Sequence, residues 1–129
     1  MTVTRDTASA AASEGFEIGT RHRELLDHVL DKWSLEILNL LCDRPSRFSE
    51  LRRAIPAVSQ KSLTTTLRRL ERNGIIERAV LSTRPLAVEY LITPLGKTLR
   101  SPIDEILHWV DTKMPEVENA RRRFDDEAS

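Results

Sequence analysis

The polar side chains between Ser59 and Arg72 that could read a surface of hydrogen-bond acceptors are Ser59, Gln60, Lys61, Thr64, Thr65, Arg68, Arg69 and Arg72. They are amides, hydroxyls, an ammonium and guanidinium groups, with no base placed beside a nucleophile. Such groups donate hydrogen bonds: a guanidinium fork matches paired acceptors on a guanine edge or a phosphate, and a glutamine amide matches the donor and acceptor of an adenine edge. Their spacing puts several on one line. With Leu63 at zero and about 100° per residue, Leu67 and Leu70 fall within about 40° of it, whereas Lys61, Thr65, Arg68 and Arg72 fall between about 140° and 200°. A leucine stripe is therefore buried and a cationic, hydroxyl-rich face points outward, flanked by Thr64 and Arg69. Arg52 and Arg53 precede this segment and Arg84 follows it, all suited to phosphate contact.

The elements that must hold these groups can be read in order. Leu25, Leu26, Val29 and Leu30 recur at helical spacing and predict a helix over 21–30. Asp31 offers a cap for a second helix, about 32–43, whose Trp33, Ile37, Leu40 and Leu41, with Leu35, Leu38 and Cys42 beside them, make it the central core helix. Arg44-Pro45-Ser46 ends it, because proline lacks an amide donor and biases the preceding residue away from helix. Ser49 is the expected cap of a third helix, 50–55, and Pro56 stops it. A short turn then leads to the cationic helix, so the pair reads as a helix-turn-helix.

Asn73-Gly74 closes that helix, and the β-branched and aromatic runs 76–81 and 88–92 predict two strands. The six residues between them, Ser82 to Ala87, suggest a loop longer than a two-residue hairpin, with Arg84 at its tip: a wing. Thr93-Pro94 predicts the start of a last helix carrying Leu95, Leu99, Ile103, Ile106, Leu107 and Val110 inward and bent at Pro102. That is more apolar length than a monomer of this size needs. Leu25, Leu26 and Val29 of the first helix, with Ile103, Ile106, Leu107 and Val110 of the last, are accordingly the expected dimer interface. Residues 1–19 read as a flexible arm, 20–114 as one domain, and 115–129 as a charged tail expected to fray. The arm has no continuous apolar core and no basic start, so it reads as neither a signal peptide nor a membrane anchor.

Composition bounds the function. With 129 residues, 40% of them hydrophobic, the chain suits one core. Its net charge is zero, yet residues 1–43 carry −4, residues 44–84 carry +7 and residues 85–129 carry −3. A basic middle third between acidic flanks suggests a localised cationic face on a body that does not bind every polyanion. The single Cys42 excludes an intramolecular disulfide and a multi-cysteine zinc site, fits a reducing cytoplasm, and reads as a buried, inert thiol on the core helix. His22, His28 and His108 have no metal-ligand spacing. No metal, cofactor or catalytic residue is implied, and Glu24, Asp27, Asp31 and Glu36 read as helix surface and caps. The fold class is α+β, mostly α: a winged helix-turn-helix with added N- and C-terminal dimerisation helices.

From Leu25 to Trp109 the chain resembles the HxlR-type winged-helix transcriptional regulators, relatives of the MarR-like proteins. The resemblance is carried by Asp31-Lys32-Trp33-Ser34-Leu35-Glu36-Ile37-Leu38, by Arg47 to Pro56, by Val58-Ser59-Gln60-Lys61-Ser62-Leu63-Thr64, by Leu67-Arg68-Arg69-Leu70-Glu71 and by Val88 to Gly96. It implies a cytoplasmic, nucleoid-associated bacterial homodimer that binds a palindromic operator on double-stranded DNA, often as a repressor, with a small-molecule effector as a further partner. Many members carry a cysteine about 13 residues before the tryptophan that matches Trp33, used in some for thiol-based sensing; here that position is Thr20. The competing reading is a winged helix used only for protein contacts. It predicts apolar residues where this sequence places Lys61, Thr65, Arg68 and Arg72. An enzyme has little support, with neither a glycine-rich phosphate loop nor a nucleophile-base pair.

Overall fold

A computed structural model describes residues 17–128. The expected arm lies outside the described residues up to position 16. The chain divides between Asp31 and Lys32 into two units. The first contains α1 (Thr20–Val29), which starts after Gly19, whose N–H donates to His22 Nδ1 at 3.1 Å.

The second unit is mostly helical with a small antiparallel sheet, in the order α2 (Lys32–Asp43), α3 (Phe48–Ala54), α4 (Gln60–Arg72), β1 (Ile76–Thr83), β2 (Leu86–Ile92), α5 (Pro94–Lys97) and α6 (Arg100–Ala128). Ile37, Leu38 and Leu41 of α2, Leu51 of α3 and Leu63, Leu67 and Leu70 of α4 meet in one core with Ile55, Val58, Ile75, Ile76 and Ile103. Full burial of one such side chain contributes about 1.5 to 3 kcal/mol. The stripe inferred on α4 is therefore the surface that seats this helix. Thr66 is buried with it, and the opposite face is exposed.

Several boundaries differ from the sequence reading. The third helix starts two residues earlier than a Ser49 cap would allow: Arg47 is its N-cap, and the Arg47 N–H donates to Glu50 Oε1 at 2.7 Å. A carboxylate three residues into the helix satisfies the cap amide as well as the helix dipole. The wing is also tighter than expected. Thr83 pairs with Leu86, which leaves Arg84-Pro85 as the turn, joined by a cis peptide bond. Between Val80 and Ser82 the register shifts by one residue at Leu81, and pairing continues through Ser82 and Thr83. A bulge lets a ladder run on through residues whose side chains carry no strand signal. Ser46 adds a third, one-residue rung: its N–H donates to Tyr90 O at 3.0 Å and its carbonyl accepts from Tyr90 N–H at 2.8 Å.

The C-terminal region departs furthest. Instead of one helix bent at Pro102, α5 ends after Lys97 and α6 begins at Arg100. Pro102 lies in the first turn of α6, where backbone amides have no intrahelical acceptor, so it costs no hydrogen bond there. Leu95, expected to face inward, is 55% exposed. The tail expected to fray beyond Pro115 is helical to Ala128. Its Glu, Ala and Arg residues favour helix, and side-chain pairs one turn apart support it: Lys113 with Glu116 at 3.4 Å, and Arg122 with Asn119.

Candidate nucleic-acid interface

The cationic helix α4 is fixed at both ends by its own sequence. At its start the Ser59 hydroxyl accepts from Ser62 N–H at 3.0 Å, so this candidate contact residue also serves as the N-cap. At its end Ile75 N–H donates to Leu70 O and Gly74 N–H to Glu71 O, both at 3.0 Å. Gly74 takes φ 76°, the left-handed geometry of this paired closure. The last turn of α4 is thus tied to the two residues that lead into β1, and backbone hydrogen bonds fix how the chain leaves the helix for the wing.

Gln60, Lys61, Thr64, Thr65, Arg68, Arg69 and Arg72 are all exposed, as are Arg52 and Arg53 on the last turn of α3. Two grooves gather most of them. Arg52, Arg53 and Gln60 line the first with Phe48 and Ser49, so the turn of the helix-turn-helix brings two guanidiniums beside the amide at the start of α4. Thr64, Arg68 and Arg72 line the second, a cleft of about 690 Å³, with Glu71, Arg78 and Tyr90. Arg84 stands apart at the exposed wing tip, where its backbone N–H donates to Ser82 Oγ at 3.3 Å. Lys61, Thr65 and Arg69 are exposed on α4 outside both grooves.

Arg78 and Tyr90 escaped the sequence reading. They are cross-strand partners in the β1–β2 ladder, and only tertiary packing brings that pair against α4. The available signal was a basic residue interrupting the apolar run of β1, two positions after buried Ile76 and hence on the same face. Arg78 Nε lies 4.0 Å from Glu71 Oε2. Partial burial raises the Tyr90 phenol above its usual pKa, against an opposing effect of the Arg78 charge and with a smaller push from Glu71. It is therefore a neutral hydroxyl donor at neutral pH.

The groups expected at a dimer interface divide by exposure. Leu25 and Leu26 are exposed and Val29 is buried, while Ile103 belongs to the core. Ile106, Leu107 and Val110 are each about 40% exposed, and Trp109 and Met114 extend the same apolar exposure along α6. Cys42, expected to be buried, is half-buried on α2. No helix among the described residues is long and apolar enough to cross a membrane.

This arrangement has clear counterparts among known proteins. The family model described as HxlR-like helix-turn-helix matches residues 28–118, which span the core, α4, the wing and most of α6. The HTH-type transcriptional regulator YtfH of Escherichia coli K12 is 39% identical over 95 residues, covering 74% of this chain and 75% of that protein. Among solved structures, a transcriptional regulator ytfH from Salmonella typhimurium superposes with a TM-score of 0.71 at 37% identity, covering 78% of this chain and 89% of that one. The reduced form of the transcriptional regulator YodB from B. subtilis superposes with a TM-score of 0.63 at 34% identity, covering 74% and 93%. The family match covers more than half of the chain and the relatives are named as transcriptional regulators: the chain belongs to the HxlR-like helix-turn-helix family of transcriptional regulators.

Proposed function

We propose that the protein is a homodimeric repressor that reads a palindromic operator with α4 in the major groove and the wing on the flanking backbone. The observation that carries this reading is the outward face of α4: seven exposed donor side chains on a helix whose leucine face is wholly buried. Gln60 stands at the start of α4, the end of a recognition helix that meets base edges, and is suited to adenine; Lys61, Arg68 and Arg72 on the outward face are suited to guanine, each good contact discriminating between bases by about 1 to 3 kcal/mol. Arg52, Arg53 and Arg84 supply phosphate contacts. The exposed apolar residues Ile106, Leu107, Val110 and Trp109 support α6 as the surface that pairs two copies. Pairing would set two α4 helices about 34 Å apart, one helical turn of DNA.

The division of labour is testable by substitution. Arg84→Ala is expected to weaken binding to every duplex alike and to lower the magnitude of the salt slope by about 0.9. Gln60→Ala and Arg68→Ala are expected to change which sequences are preferred. Equal losses on cognate and random duplexes for all three variants, measured by fluorescence anisotropy across a salt series, would sink this assignment.

Release from DNA does not run through a thiol in this account. Thr20 stands at the position of the cysteine that some members of the family use for sensing, and Cys42 is the chain's only cysteine. Diamide is therefore expected to leave operator binding unchanged in the wild type and in Cys42→Ser. A loss of binding in the wild type that Cys42→Ser prevents would reverse the conclusion. The signal is then a small molecule or a covalent event at another residue.

A further inference from the structure

The cleft between α4 and the sheet contains three guanidiniums, of Arg68, Arg72 and Arg78, and one carboxylate, of Glu71. Arg78 differs from the other two in its mounting. It projects from a strand paired with Tyr90, whose backbone is in turn held by both hydrogen bonds of the Ser46 rung. Its base is therefore rigid, while its side chain is 53% exposed. The Glu71 carboxylate, 42% exposed, stands 4.0 Å away, close enough to attract the guanidinium and too far to close a hydrogen bond. A half-exposed pair of this kind is weak and exchanges partners readily. Nothing in the packing of the core requires a carboxylate here, and in a cleft facing a polyanion it repels the ligand.

We infer that Arg78 binds a DNA backbone phosphate at the base of the wing, and that in the free protein Glu71 occupies this guanidinium as an internal stand-in for that phosphate. The inference rests on the DNA-reading function proposed above and adds a contact from the first strand to those of α4 and the wing tip. On binding, the Arg78 guanidinium turns from Glu71 to a phosphate oxygen, and the bidentate geometry of guanidinium and phosphate favours the exchange. Glu71 then sets the strength of binding: it lowers affinity for all DNA, whatever its sequence, by competing for the same cation.

A double-mutant cycle tests this with two duplexes of equal length, one recovered by the wild-type protein from genomic DNA and one of random sequence, followed by fluorescence anisotropy over a potassium chloride series. Arg78→Ala should weaken binding to both by about tenfold and lower the magnitude of the salt slope by about 0.9. Glu71→Gln should tighten binding to both by about threefold. In the Arg78→Ala background the Glu71→Gln gain should shrink to the small part that comes from Glu71's own repulsion of the duplex. An unchanged salt slope in Arg78→Ala would overturn the inference, as would a Glu71→Gln gain that persists undiminished without Arg78. Circular dichroism of each variant separates loss of contact from loss of fold. Equal binding of the two duplexes by the wild type would remove the sequence-reading function and leave the Arg78 test intact, because the slope is read on either duplex.

Discussion

Gly96→Ala is expected to destabilise the protein by about 3 kcal/mol, read as a fall in the urea midpoint. A methyl group at this position would lie 2.2 Å from Ile75 O, 2.7 Å from Ile92 Cγ1 and 3.1 Å from the Ile75 carbonyl carbon. The carbonyl has no room to retreat. It accepts from Thr93 N–H at 3.0 Å, and the Thr93 hydroxyl lies 2.9 Å from it and 2.6 Å from Gly74 O while accepting from Gly96 N–H at 2.9 Å. This knot joins the two residues that close α4 to Thr93, the N-cap that follows β2, and to α5, so its distortion spreads into the segment that orients the recognition helix. Gly19→Ala is the matched control: the nearest atom to an added methyl there is His22 Nδ1 at 3.7 Å, and little change is expected. Equal midpoints for the Gly96 and Gly19 variants would mean that α5 is not seated as described.

The largest functional effect is expected from the α6 face. Replacing Leu107 and Val110 together with glutamate places two charges on an exposed apolar surface without entering the core, to which Ile103 alone of the four interface candidates on this helix belongs. The variant should stay folded and become monomeric by sedimentation. Its affinity for a full operator should fall by about 10² to 10⁴, the advantage a second linked site confers, while its affinity for an isolated half-site stays near that of the wild type. A monomer that binds the full operator as tightly as the wild type would separate DNA reading from pairing. A variant that remains dimeric would move the interface elsewhere.

The parts of this molecule legible from sequence are those governed by local periodicity. The 3.6-residue repeat of Leu63, Leu67 and Leu70 fixed which side of α4 is buried, and a hydroxyl followed by proline located the start of α5 at Thr93-Pro94. Features that depend on distant partners were not legible. The strands run on to Thr83 and Leu86 because a bulge at Leu81 keeps backbone groups paired, which no side-chain pattern records. Arg78 read as one more charge in the basic middle third until the ladder placed it opposite Tyr90 and beside Glu71. The tail misled for another reason: Arg121 to Arg123 and Asp125 to Glu127 look like a solvated charge run, yet Val117 and Phe124 continue the seven-residue spacing of Ile103 and Val110 along α6.

Recovery of genomic fragments by the purified protein at about 0.15 M salt, followed by sequencing, tests the central claim most directly, because at that ionic strength charges beyond about 8 Å are screened and base reading must supply the preference. The account predicts enrichment of an inverted repeat whose half-site centres lie about 10 base pairs apart. Recovery of fragments with no sequence in common, at the frequency of random DNA, would contradict it.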